Sequence, residues 1–281
     1  MNKRRLVAEA LELAVKVRNK YELGIASPIS VFDVADEIGI SVRFVDINME
    51  GLYVREPRPR IIVSALRPLP RRIFTCAHEL GHHFFGHGSN LDLLIAEDHE
   101  VSPEEVQANS FATFLLLPSL GIRRAFVSRN WNSQNPSPIQ IQTIANDFGV
   151  GYSTLIRYLQ YTTQTLTNVR AKQLLRSTPQ QIKEELTGIV NPGAMVVVDK
   201  FWQSKTVDVE LGTFIVLPTG VLPANERLVP VLESACHNVF VAQGAGLVRI
   251  IDERDGWAKF VRIMPAAFVG MATYRHLDEG E

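Results

Sequence analysis

The sequence predicts an α+β protein in three successive parts: a helix bearing paired histidines beside a small sheet, a helical connector, and a C-terminal β-rich module. An alternating, β-branched run at 42–47 and two further strand-like runs at 51–54 and 60–64 stand before a long helical stretch, Leu69 to Phe85. Helical spacing alone persists from Ile139 to Thr187, and from Asn191 onward it gives way to short β-branched runs punctuated by Gly and Pro. These changes divide the chain into 1–130, 131–188 and 189–281.

Taken in order, Leu6, Ala10, Leu13, Ala14 and Val17 recur at helical spacing and predict an amphipathic first helix. Pro28-Ile29-Ser30 breaks the chain, and a short helix follows over Val31 to Ile38, stopped near Gly39. Val42 to Ile47, Gly51 to Val54 and Arg60 to Ser64 read as strands, with the Pro-rich stretch Glu56 to Pro59 as a turn. Pro68 and Pro70 suit a first helical turn, where a missing N–H costs nothing, so a helix should run to Phe85 and end before Gly86 or Gly88. A polar, acidic loop is expected over Ser89 to Val101. Ser102-Pro103-Glu104-Glu105 then has the pattern of a capping box opening a helix that ends near Leu117-Pro118. Asn130 to Pro138 reads as a linker, and Ile139 to Thr162 as two helices around Gly149-Val150. Further helix is expected over Val169 to Thr187 with a break at Thr178-Pro179. Strands are expected at Met195–Asp199, Thr213–Leu217, Leu228–Leu232, Val239–Ala242, Leu247–Ile251 and Phe260–Met264.

Composition bounds the function classes. Of 281 residues, 46% are hydrophobic and 21% charged, enough to build a packed core. Lys+Arg numbers 29 and Asp+Glu 30, so the chain lacks the overall basic excess of a typical nucleic-acid binder. Cys76 and Cys236 are too few for a disulfide framework and point to a reducing compartment, with Cys76 as a small core residue. Glu9, Glu12 and Lys16 interrupt the apolar run of the N-terminus, which therefore lacks a signal-peptide core, and no apolar stretch of spanning length is expected. The expected location is cytoplasmic, without a membrane partner.

The chemistry concentrates at His78-Glu79-Leu80-Gly81-His82. Histidines four apart on a helix stand on one face and can share a metal ion, which zinc chemistry favours. Glu79 flanks that face, where a general base for an attacking water would stand. His83 and His87 form a second pair at the same spacing, without a Glu after the first, and read as helix-end residues or as supports of the ligands, not as ligands themselves. A catalytic zinc needs a third protein ligand. Asp92, Glu97, Asp98, His99, Glu100 and Glu104 read as solvated charge. Glu105 differs because Ala108, Phe111, Ala112 and Leu115 make an apolar stripe on its helix, which can pack beside the histidine helix. The capping box explains Glu105 without any metal, so both roles stand. Asn109, one turn on, could accept a hydrogen bond from a ligand imidazole.

Phe74 to His83, followed by Glu105 to Ala112 and Leu115-Leu116-Leu117-Pro118, resembles the ImmA/IrrE-type HExxH metallopeptidases over about residues 1–125. The resemblance implies a zincin-like peptidase core, Zn2+ held by His78, His82 and Glu105, and Glu79 as catalytic base. It also implies an intracellular endopeptidase whose substrate is another protein, a transcriptional repressor encoded nearby, and a place in stress response or control of mobile elements. Many relatives carry acids where this chain has Gln107 and Asn109. Tyr53 is the expected donor to the oxyanion, because its strand should flank the cleft, and Arg60 to Ser64 is expected as an edge strand that could pair with an extended substrate. Ile139 to Tyr161 has the profile of a helix-turn-helix, yet Ser153 to Gln160 offers only Arg157 as a cation, so packing is favoured over DNA binding. No chemistry is assigned to the C-terminal module. The alternative to an enzyme is a DNA-binding or protein-binding regulator whose metal site is structural or vestigial.

Overall fold

The structure, a computed structural model, describes residues 3–88, 90–92, 102–190, 192–204, 206–233 and 236–277. The chain forms two compact units, Met1–Ile122 with Ala267–Arg275, and Arg123–Ala266 with His276–Glu281. The mixed α+β class is as expected. Most of the loop at Ser89 to Val101, with Glu97, Asp98, His99 and Glu100, lies outside the described residues.

In the first unit, α1 (Lys3–Lys20) buries Leu6, Ala10, Ala14 and Val17, the stripe its spacing foretells. Helix α2 (Val31–Ile38) stops at Gly39, whose φ of +84° is the left-handed region that favours glycine. Strands β1 (Ser41–Val45), β2 (Gly51–Val54) and β3 (Arg60–Ser64) follow. Next come α3 (Leu69–Phe85), β4 (Asn90–Asp92) and α4 (Pro103–Leu116). The sheet is completed by a strand returning from far down the chain, Gly270–Met271, antiparallel to β1.

Strand β3 pairs in parallel with β1 and antiparallel with β2. It is therefore the centre of the sheet and not the edge strand expected from its position in the sequence. Both rows of its backbone groups are engaged, which removes it as a platform for an extended substrate. Helix α3 covers the sheet at β2 and β3 and packs on its other side against α4, which also packs on α1.

The apolar stretch Pro103–Ser128 has the length and hydropathy of a bilayer span, contrary to the sequence expectation that none would. Its apolar residues Ala108, Phe111, Ala112, Leu115 and Leu116 are buried, and Leu117-Pro118 interrupts it, as suits a core element.

The second unit receives most of α5 (Ser119–Ser128) and carries α6 (Pro138–Asp147), α7 (Tyr152–Arg157), α8 (Asn168–Arg176) and α9 (Pro179–Thr187). Ser137 and Thr178 cap α6 and α9 through complete capping boxes with Gln140 and Gln181. Helix α7 passes directly into a π-helical turn, Tyr158–Thr162. Strands β5 (Met195–Val197), β6 (Thr206–Glu210), β7 (Phe214–Pro218), β8 (Leu222–Pro223), β9 (Leu228–Glu233), β10 (His237–Ala242), β11 (Gly246–Asp252) and β12 (Trp257–Met264) form two four-stranded sheets. Their orders are β5-β7-β10-β9 and β6-β12-β11-β8. Ile215, Leu217 and Phe240 of the first sheet share one core with Val207, Val248, Ile250, Val261 and Ile263 of the second.

The helical segment and the β-rich strands meet in this unit at a buried cation. Arg129 Nε donates to Asp199 Oδ2 at 2.6 Å, and its Nη2 lies 3.2 Å from Asp147 Oδ2. Burial pushes the Asp147 carboxyl up to about 6, against the pull of Arg129. Arg129→Met strands both acids, so we expect a loss of about 3–5 kcal/mol in unfolding free energy at neutral pH. A raised carboxylate pKa gives stability that is present below the ordinary value and lost as pH rises through about 6. The deficit of the variant should therefore shrink between pH 7 and pH 5 in denaturant melts, as the stranded Asp147 takes a proton. A loss below about 1 kcal/mol at pH 7 would mean that the cation is not what holds these elements together.

Candidate metal centre

Helix α3 sorts its side chains by angle, since successive residues are rotated by about 100°. Thr75, Glu79 and His83 form the stripe facing β2. A Cβ built on Gly51 would fall 2.4 Å from Thr75 Cγ2 and 2.7 Å from Glu79 Oε1. Two residues along the same strand face, the Tyr53 hydroxyl meets His83 Nδ1 at 2.8 Å. Two residues of strand and four of helix cover similar lengths, so strand and helix stay in step.

On the side toward α4, a Cβ on Gly81 would lie 2.9 Å from Ala108 Cα and 3.2 Å from Ala108 O. Glycine is the residue that lets the two helix backbones come this close. His78 and His82 stand between these two faces. Their Nε2 atoms are 3.0 Å apart. Glu105, one turn before Ala108, completes the group: Oε2 lies 3.4 Å from His78 Nε2 and Oε1 lies 3.2 Å from His82 Nε2.

One potential ligand atom from each of His78, His82 and Glu105 lies within 4.8 Å of the others, so two imidazole nitrogens and a carboxylate converge in a group that could hold a metal ion. His78 is 6% exposed and His82 0%, while the Glu105 side chain is 30% exposed. The ring nitrogens of His78 and then His82, at hydrogen-bonding range, hold the Glu105 carboxyl well below the usual carboxylate range, so it is ionised. The capping box is made only in part: Ser102 Oγ accepts from Glu105 N–H at 3.2 Å, while the Glu105 carboxylate lies against the histidines. The backbone of Glu105 thus serves the cap, while its carboxylate is left to the group with the histidines.

Glu79 is fully buried, on the stripe beside the two histidines. Tyr53 is 2% exposed, with its hydroxyl on His83. Its position ties β2 to the end of α3. Cys76 is buried and free, and burial pushes its thiol up, which suits a core role. Asn109, expected to support a ligand imidazole, is exposed. The ring beside His82 Nδ1 is that of His87 instead. Gly86 ends α3 with φ of +71°; its N–H donates to His83 O and the His87 N–H donates to His82 O at 3.0 Å. This Schellman turn carries the His87 ring back over the helix end, where His87 Nδ1 lies 3.0 Å from His82 Nδ1.

The sequence assigns no role to Gly51 or Gly81 beyond a strand start and a place in the histidine motif. For Gly81 a signal exists, since glycine inside a helix costs about 1 kcal/mol relative to alanine and so hints at a close approach.

Residues 35–160 match the family model described as the IrrE N-terminal-like domain, a peptidase family. Among solved structures, the chain is similar to a Mycobacterium tuberculosis transcriptional regulator, at 17% identity and a TM-score of 0.36, with 57% of this chain and 52% of that one covered. It spans about half the length of that protein. No curated protein matches the sequence.

Proposed function

This chain carries, over residues 35–160, a domain of the ImmA/IrrE-type peptidase family, and from that premise we propose that it is a zinc-dependent endopeptidase acting on another protein. The convergence of His78, His82 and Glu105 into one donor group is the observation that carries the reading. Two neutral nitrogen donors and one carboxylate suit zinc better than calcium or magnesium, which prefer all-oxygen sites. A zinc ion held there would supply Lewis acidity toward a peptide carbonyl and an attacking water.

The remaining work falls to the chain's own groups. His78 and His82 present their Nε2 atoms, and Glu105 its ionised carboxylate. Glu79 takes the proton of the attacking water on a carboxylate oxygen and returns it to the leaving amine nitrogen. Its burial beside Gly51 keeps that carboxylate in one orientation. Tyr53, enclosed in the sheet, is assigned to holding β2 against α3 rather than to the oxyanion.

The family resemblance supports a transcriptional repressor as substrate. The α6–α7 pair is assigned to packing, because α7 buries Tyr152, Leu155 and Ile156 and carries Arg157 as the basic residue of its last turn.

The test is zinc per chain by elemental analysis, for wild type beside His82→Ala and Glu105→Ala. About one zinc in the wild type, reduced at least tenfold in both variants, is expected from a site with three protein ligands. A wild-type chain that takes up no zinc when it is offered would end this reading and bring forward a regulator that binds without hydrolysing.

A further inference from the structure

The metal-facing nitrogen of His82 is fixed by a chain of hydrogen bonds that begins on α1. Glu9 Oε1 accepts from Arg5 Nε at 2.8 Å, and Glu9 Oε2 accepts from Gln107 Nε2 at 2.9 Å. A carboxylate only accepts, so Gln107 turns its amide NH2 toward Glu9 and its carbonyl Oε1 toward His87. That oxygen lies 3.3 Å from His87 Nε2, which must therefore be the N–H of the ring. The other nitrogen of His87, Nδ1, is then the acceptor. It lies 3.0 Å from His82 Nδ1, which must donate. With its proton on Nδ1, His82 offers an Nε2 lone pair to the centre it shares with His78 and Glu105.

We propose that Glu9, Gln107 and His87 are positioning residues that set the tautomer of His82 and so the affinity of the metal centre. The inference rests on the zinc reading given above. Each link comes from a different element: α1, α4, and the residue just after α3. His87 is held in place by the Gly86 turn and by stacking on Phe85, with ring centroids 5.4 Å apart and planes at 9°. A ligand histidine commonly gives its second N–H to a carboxylate or carbonyl, and losing that acceptor typically weakens metal binding by about 10–100-fold. Here the acceptor is another imidazole, and the carboxylate stands two links further out. The centre is thereby coupled to α1, which supplies no ligand to it.

The experiment is competition for zinc between the full chain and a chromophoric chelator. His87→Phe keeps a ring but removes the acceptor, and zinc affinity should fall by about 10–100-fold. His87→Asn places an oxygen where Nδ1 stood, so affinity should return to within about threefold of wild type. The exchanged pair Glu9→Gln with Gln107→Glu keeps the donor order, because the carboxylate then standing at position 107 would accept from both neighbours; it should bind zinc at least as tightly as wild type. The melting temperature of zinc-free protein should be the same in all four chains, which a purely structural role for His87 would not give. Unchanged affinity in His87→Phe, no recovery in His87→Asn, or weak binding by the exchanged pair would overturn the proposal. Failure of the zinc reading itself would look different, because the wild type would then take no zinc from the chelator at all.

Discussion

Glu79→Gln is expected to lose cleavage by about a thousandfold, within the range ascribed to a positioned general base, while keeping about one zinc per chain. The substitution is nearly isosteric. It leaves the close approach of Gly51, where an added Cβ would meet Glu79 Oε1 at 2.7 Å, as it is. The donor group of His78, His82 and Glu105 is untouched. What changes is that an amide oxygen cannot take the proton of an attacking water at neutral pH. The readout is the set of new protein N-termini that zinc-loaded wild type generates in a cell extract, counted again with the variant. Fragments from the wild type alone would separate a hydrolase from a regulator with a structural metal, which has no use for that carboxylate. Equal fragment yields from both chains would remove Glu79 from the chemistry. Loss of zinc along with cleavage would show that Glu79 acts through the metal site's integrity instead.

The site was legible in the sequence wherever it depends on one helix. The spacing of His78 and His82, the adjacent Glu79, and the helix ends at Pro70 and Gly86 are local properties, and α3 runs over the expected Leu69–Phe85. Glu105 was legible for a different reason: its helix announces both its start and its apolar stripe, so the carboxylate could be placed at the edge of a buried face. What was not legible depends on tertiary pairing. Nothing local marks β3 as central rather than at an edge, because its second partner, β1, is joined to it through a parallel crossover. The strand Gly270–Met271 is two residues long and finds β1 across more than half the chain. Strand β6 escapes because a charged Asp208 stands at its centre, and β8 because it is two residues long and ends in Pro223. For His87 the sequence leaves two readings, a helix-end residue or one supporting a ligand, and the left-handed Gly86 folds it back over His82. Its partners Gln107 and Glu9 lie 20 and 98 residues apart along the successive links, a separation that no periodicity reports.

Gly81→Val should remove zinc binding altogether and lower stability by about 1–3 kcal/mol, the usual cost of overpacking. Intrinsic propensity points the other way, since any side chain but proline in the middle of α3 should favour helix over glycine, by up to about 1 kcal/mol for alanine. Packing decides the sign. Even the single carbon of alanine would stand 2.9 Å from Ala108 Cα and 3.2 Å from Phe111 Cδ1, and a Cα of the facing helix cannot rotate away as a side-chain tip could. Helix α4 must therefore withdraw. Glu105 lies one turn from Ala108 on that helix, so its carboxylate withdraws too, from contacts of 3.2 and 3.4 Å with the two imidazoles. Ligand distances at a zinc site tolerate about 0.2 Å, so a helix shift of even half an ångström is felt as lost affinity. Gly81→Ala is expected to be intermediate, with zinc affinity down by tenfold or more and a zinc-free melting temperature close to that of wild type, where the helical gain offsets the strain. These two variants, measured by zinc competition and by melting with and without zinc, separate packing from propensity. A Gly81→Ala chain that melts higher and binds zinc as tightly as wild type would mean that the close crossing of α3 and α4 does not set the ligand geometry.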